Sequence, residues 1–341
     1  MPSSKDLPPS AVPFFPTQFI RNQFCSKPKY LPSDTDLSNQ VAIITGSNTG
    51  LGYECARQFL SHKVSELILA VRSAEKGEGA ANKLRKKYPN ATIKVWHLDM
   101  SSYESVKEFV ARVEKELHRL DIAILNAGVA PVGFKTAPET GHEDCVQVNY
   151  LSTMLLSILL LPVLKRMSPD GVPGRLTIIT SMLSMIAKFA NKKEIPLLPA
   201  FDNEKLFDAY DIYPTSKFLC QMFFWKLSDL VSADDVVMNL VEPGFIKGTE
   251  LQRDLNGVGK MALGLLKAAS ARSVQVGVST YLDAVVAKGK ESHGCVLMNW
   301  DIFPYPSFMY SPEGKEVMGR LWDETMKEFS SFDVDATLKF L

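Results

Sequence analysis

The spacing most suggestive of chemistry in this 341-residue chain is Tyr213 followed four positions later by Lys217, in the stretch YDIYPTSKF. Residues four apart share a helix face, so the Lys217 ammonium can approach the Tyr213 phenol and favour its charged form. Free tyrosine ionises near pH ~10, and each unit of lowering is worth ~1.4 kcal/mol of preferential stabilisation of the anion. Tyr213 is therefore a candidate proton donor. Pro214 is harmless in a first turn, where its missing N–H would have no partner, so the helix is expected to start just before it with Asp211 as a candidate cap. Tyr210 is the rival phenol, but it lies about two turns from Lys217 and is expected to be a pocket wall.

A second constellation is the glycine loop VAIITGSNTGLG. Gly46, Gly50 and Gly52 fall between an apolar run and a helical pattern, with Ser47, Asn48, Thr49 and Leu51 completing the turn. Glycine there lets the chain turn tightly and bring free backbone N–H groups at a helix start against a pyrophosphate. A glycine turn without a ligand is the alternative. The next apolar run ends LAVRS, and an arginine at that place, Arg72, suits a ribose 2′-phosphate where an acid would hold a 2′-hydroxyl. A solvated strand-end charge is the other reading of Arg72.

These residues need a frame. From Gln40 onward short apolar runs (VAIIT, ELILAV, TIKVWHL, IAILN, RLTIIT, VVMNLV and a last GCVLMN) alternate with longer helical patterns. Continuous apolar runs indicate strands covered on both faces, and the intervening helices supply crossovers. The expectation is an α/β doubly wound parallel sheet, a Rossmann fold in a single domain spanning 39–341. Residues 1–38 are a proline-containing extension, read as a strap whose short helix is capped by Thr17 and docked by Phe14, Phe19, Ile20 and Phe24. A long insertion, 182–212, precedes the Tyr213 helix. Long excursions beside a site are more often lids than filler, so Met185, Ile186, Phe189, Leu197, Leu198 and Phe201 are expected to offer apolar substrate contacts, together with a loop over 245–272. Packing on the sheet edge and a subunit is the alternative for both.

The variant TGxxxGxG resembles the short-chain dehydrogenase/reductase family, and further stations follow in order through about residue 250. Asp99, with Met100, in HLDM matches the family's acid near the adenine. Asn126, Ala127 and Gly128 in LNAG match its NNAG motif with the first Asn replaced. Asn149 in VNY, Ser181 in IITS and the Tyr213/Lys217 pair match the catalytic tetrad, and Pro243, Gly244, Ile246 and Thr249 lie in a stretch similar to the loop over the nicotinamide. The glycine loop and LAVRSAEKG are similar to the retinol-dehydrogenase-like branch, and the leader and the C-terminal segment to its filamentous-fungal members. The resemblance implies a nicotinamide cofactor, which Arg72 predicts to be NADP(H), and interconversion of a carbonyl and an alcohol, Tyr213 serving as general acid/base, Ser181 binding the reacting oxygen, Lys217 binding the ribose and Asn149 holding a relay water. Ser184 is the alternative to Ser181, and backbone bridging the alternative for Asn149. The apolar segments suggest a fairly large polyketide, terpenoid, steroid or lipid-like substrate, consistent with secondary metabolism. A non-redox cyclase or isomerase on the same fold, or an NADP(H)-binding sensor, are the competing functions.

Composition narrows the rest. Lys plus Arg and Asp plus Glu are 38 each, so no overall field attracts nucleic acid. Five scattered cysteines and five scattered histidines form neither a disulfide framework nor metal-ligand spacing, and no metal is expected. Prolines interrupt the N-terminus where a signal peptide needs an apolar core, which points to a cytoplasmic enzyme, with the aromatic strap leaving a peripheral membrane contact open. The run YLSTMLLSILLLPVL falls short of the ~20 residues of a spanning helix. Its apolar face and that of FLCQMFFWKL permit a homodimer, unless other segments cover them.

Overall fold

The computed structural model describes residues 2–248, 264 and 266–339; Thr249 and much of loop 245–272 lie outside the described residues. Eight strands form one sheet in the order β3-β2-β1-β4-β5-β6-β7-β8. They are β1 (Val41–Thr45), β2 (Glu66–Val71), β3 (Thr92–His97), β4 (Ile122–Leu125), β5 (Gly174–Ile179), β6 (Val236–Glu242), β7 (Cys295–Met298) and β8 (Asp301–Phe303). Every pairing is parallel except β7 with β8. The doubly wound expectation holds, with the short antiparallel β8 added at an edge. The strand order reverses between β1 and β4, which opens a crevice at the carboxyl ends of the strands.

Burial on both faces explains the apolar runs. In β1, Ile43 faces one core with Ile68, Trp96 and Leu125, while Ala42 and Ile44 face a second with Leu67, Leu69 and Ile124. The first core is covered by helices α3 (Tyr103–Glu116), α4 (Asp144–Met167) and α5 (Ile212–Ser228). The second is covered by α1 (Gly50–Ser61), α2 (Ala74–Lys87) and α6 (Val274–Leu282). Helix α4 has 24 residues, longer than its apolar run suggested, and is long and apolar enough to cross a bilayer, yet 89% of that apolar window is buried inside the fold. It is a core helix.

A seventh helix, α7 (Pro312–Glu328), closes over α4 and α5. Trp322 stacks on Phe223 with ring centroids 4.5 Å apart, and Tyr150 shares a hydrogen bond with Thr325. The outer faces of α4 and α5 are thereby covered by the chain's own C-terminal segment.

Two expectations about local structure change. Thr17 caps nothing: the strap forms two wide helical turns, Phe14–Gln18 and Arg21–Cys25, with Phe14 buried and Ile20 and Phe24 exposed. The insertion is also mostly core. Phe189, Leu197, Leu198 and Phe201 are buried, with Phe189 stacked on Phe201 and edge-on to Phe218. Tertiary contacts hold it there. Glu324 of α7 accepts from Leu197 N and Leu198 N, both at 2.8 Å, and Arg320 donates to the carbonyls of Glu194 and Lys192. His142 bridges Asp202 (2.9 Å) and Glu328 (3.1 Å). These four apolar side chains are thus unavailable to a substrate, and only Met185 and Ile186 of the six proposed retain partial exposure.

Candidate active site

The glycine loop is built by backbone proximity. Thr45 Oγ1 at the end of β1 accepts from Asn126 N and Ala127 N, both at 2.9 Å, and the Asn126 side chain donates back to Thr45 O at 2.9 Å. This draws the turn after β4 against the turn after β1. A Cβ on Gly46 would lie 2.9 Å from Ala127 Cα, and one on Gly52 would lie 2.5 Å from Gly46 O. Gly50 has φ +58°, where a side chain is strained. Ser47 is buried and donates to Ile44 O, while Asn48, Thr49 and Leu51 are partly exposed at the helix start. Thr49 precedes α1 in extended conformation and makes no side-chain cap. The first N–H groups of α1 therefore face the crevice uncapped, an arrangement that fits the phosphates of a dinucleotide.

Arg72 is exposed at the end of β2. Asp99 Oδ1 accepts from Ser101 N and Oγ at 2.9 and 2.7 Å, fixing the turn after β3, and Met100 is buried beside it.

Ser181 follows β5, and Tyr213 and Lys217 lie in the first two turns of α5. Burial pushes the Tyr213 phenol well up, and the Ser181 side chain works against it. Lys217 Nζ donates to Ile179 O at 2.8 Å, and burial pulls its ammonium down. The ammonium thus satisfies the strand-end carbonyl. Ser184 is committed elsewhere: buried, it donates to Ser181 O and accepts from Gln221.

Asn149 sits in a widened turn of α4, Gln147–Leu151. Its side chain pairs with the Val129 backbone, accepting from N at 2.8 Å and donating to O at 2.9 Å. A Cβ on Gly128 would lie 3.0 Å from Asn149 Oδ1 and 3.6 Å from Lys217 Nζ. Glycine keeps the gap between those two side chains open.

Two expected roles move. The Asp211 side chain makes no cap on α5; it accepts from Lys188 N (2.8 Å), Phe189 N (3.0 Å) and Thr215 Oγ1 (2.8 Å), pinning the insertion instead. Tyr210 is 90% exposed and is surface rather than pocket wall.

After β6, Pro243 is buried and Gly244 takes φ +96° against the Arg272 guanidinium. Ile246 is buried and bridges Arg272 in backbone pairing. Sequence reading passed over the residue before this turn. Glu242 is buried and accepts from Gly244 N at 2.7 Å through one oxygen, while its other oxygen, Oε2, is buried without a hydrogen-bond partner. Burial pushes it up to about 7 against the pull of Arg272 and of nearby backbone N–H groups. The available signal was an acid closing a strand that is apolar apart from Asn239.

Comparison with known proteins agrees with this architecture. The profile of short chain dehydrogenases matches residues 40–192. The short chain dehydrogenase/reductase mfmJ of Annulohypoxylon moriforme is 58% identical over 98% of this chain and 97% of its own. The short chain dehydrogenase virL of Hypocrea virens is 42% identical over 92% and 91%. Among solved structures, L-sorbose reductase from Gluconobacter frateurii, complexed with NADPH and L-sorbose, superposes with a TM-score of 0.59 over 77% of this chain and 95% of that one, at 20% identity, a likeness of fold.

Proposed function

The chain belongs to the short-chain dehydrogenase/reductase family of fungal type, and on that premise we propose that it interconverts a carbonyl and an alcohol on a fairly large apolar substrate of secondary metabolism, using NADP(H). One observation carries the reading: the Lys217 ammonium bonds to Ile179 O at the carboxyl end of β5, so Ser181, just past that end, stands with Tyr213 and Lys217 at the end of the sheet that also bears the uncapped glycine loop. The residues that would hold the cofactor are the loop from Gly46 to Gly52, Arg72 at the ribose, Asp99 and Met100 at the adenine, Asn126 to Gly128, Tyr213 and Lys217, and Pro243, Gly244, Ile246 and Thr249 over the nicotinamide. When bound, the nicotinamide supplies or accepts the hydride.

In the reductive direction Tyr213 donates its phenolic proton to the substrate oxygen, and the Ser181 hydroxyl donates a hydrogen bond to that oxygen as charge develops. The Lys217 ammonium, near the open gap beside Asn149, replaces the phenolic proton through a water held there. The exposed Arg72, where an NAD-selective chain carries an acid, supports NADP(H). Four buried free cysteines and an exposed Cys25 support a reducing, cytoplasmic setting. The covering of α4 and α5 by α7 supports a monomer, for which light scattering would give 37.9 kDa; twice that mass would restore the homodimer.

The test follows NADPH oxidation with a panel of carbonyl compounds for wild type and Tyr213→Phe. Turnover by the wild type and its loss in the variant supports the reading. Equal product from both removes Tyr213 from the mechanism, and a lower Michaelis constant for NADH than for NADPH overturns the Arg72 assignment.

A further inference from the structure

We propose that the N-terminal strap forms a wall of the substrate site, with Phe19 selecting flat, aromatic carbonyl compounds; this rests on the oxidoreductase reading and sharpens its substrate class. Besides the two cores that cover the sheet, a third apolar cluster stands apart. It contains buried Phe14, Met182 and Met298, with partly buried Phe19, Met185, Phe245 and Phe303 around them. Its position is the argument. Met182 and Met185 lie in the short helix that starts directly after Ser181, and Phe245 directly follows Gly244. The strap therefore closes between the two loops that flank the candidate site.

The strap is fastened by polar side chains as well as apolar burial. Gln23 Nε2 donates to Phe245 O (3.1 Å) and Ser270 O (2.8 Å), and Gln23 Oε1 accepts from Phe245 N (3.1 Å). Arg272 donates to Asn22 O and, at 2.6 Å, to Asn299 Oδ1. Buried Gln18 bonds to buried Asn22 at 2.7 Å. Covering apolar surface requires no such pairing. Side chains that satisfy the backbone of the loop after β6 fix the strap in register with that loop.

What the fastened strap presents is aromatic and thioether surface. The Phe19 ring lies 5.9 Å from that of Phe245, and Met185 keeps a partly exposed side chain beside them. Ring faces prefer other rings in offset or edge geometry, and thioethers adapt to ring edges. Phe189 and Phe201 of the insertion are sealed in the core, whereas Phe19 of the strap is only partly buried and supplies aromatic surface at this end of the sheet.

The test is calorimetric binding of 2-tetralone to the protein saturated with NADP+, for wild type, Phe19→Ala, Phe19→Leu and Phe24→Ala, the last an exposed ring on the same strap. Phe19→Ala should weaken binding ~10-fold and Phe19→Leu ~3-fold, while Phe24→Ala and the NADP+ affinity of every variant stay within about twofold. Should Phe19→Ala melt early, Phe19→Leu, which keeps the bulk, carries the test. Equal binding by wild type and both Phe19 variants overturns the wall, as does a wild type that fails to bind 2-tetralone. Phe19-dependent binding without NADPH turnover of any carbonyl would sink the redox reading and leave the wall standing.

Discussion

The two sides of Tyr213 are built by different means. On the cofactor side, the turns after β1 and β4 meet backbone to backbone, and a methyl group on Gly46 or Gly52 would overlap its neighbours. On the substrate side, side chains reach across the chain to backbone groups: Glu324 to Leu197 and Leu198, Gln23 to Phe245, Arg272 to Asn22. Close backbone approach demands particular residue types at fixed short spacing. Long-range side-chain ties do not. The cofactor side therefore tolerates little change, whereas the substrate side can be re-tuned by altering which segments are tied down.

The strongest way to probe this contrast is at the seam. Tyr213→Phe removes the proton donor while leaving the ring, so kcat should fall ~10²- to 10⁴-fold, with NADPH affinity by fluorescence titration nearly unchanged. A variant retaining wild-type kcat would place the acid elsewhere. Next in size is Gly52→Ala, whose Cβ would lie 2.6 Å from Asn126 Nδ2 as well as against Gly46 O. Overpacking of this kind costs ~1–3 kcal/mol, and because the clash is inside the cradle, NADPH affinity should drop ~10-fold or more. Wild-type NADPH binding by Gly52→Ala would show that the cradle is looser than its contacts imply.

Glu324→Ala tests the other side. Removing the carboxylate strands Leu197 N and Leu198 N at a part-buried site, which should cost ~2 kcal/mol in denaturant unfolding. NADPH affinity should not change. A matching loss of cofactor affinity would mean that the two sides are one cooperative unit, which would break the comparison.

The same contrast decides what could be read from sequence. Continuous apolar runs announced seven of the eight strands, and the glycine spacing announced the loop after β1, because each is a local requirement of backbone geometry. Strand β8 was missed because three residues carry too little period. The insertion was misread because Phe189 and Leu197 look alike whether they face a substrate or α7, and only the Glu324 and Arg320 bonds, more than a hundred residues away, decide it. Asp211 misled for a related reason: its place before α5 suits a cap, yet the Lys188 and Phe189 amides claim its carboxylate. Tyr213, Lys217 and Ser181 were legible as types, but the turn of Lys217 toward Ile179 O was not.

The smallest effect concerns Glu242, whose buried carboxyl accepts from Gly244 N in the turn after β6. Its carboxyl is raised from 4.5 to about 7, burial being the main cause. Below pH ~4.5 the group is protonated folded and unfolded, so its contribution to stability is fully present there. As pH rises toward 7, the unfolded chain ionises first and stability is lost at up to ~1.4 kcal/mol per unit, until the folded group ionises too. Glu143, also buried and raised to about 7, pulls the same way. His142 does so at higher pH: burial lowers it, but the bonds to Asp202 and Glu328 outweigh that and raise it to about 9. A wild-type slope alone would therefore not isolate Glu242. The difference between wild type and Glu242→Gln does, because the other two groups are common to both. Unfolding in urea at pH 6 and pH 8 should show the wild type losing ~1 kcal/mol more than the variant over that interval. Parallel losses would mean that Glu242 ionises as an ordinary carboxyl, and its bond to Gly244 N would then be a charged one at every working pH.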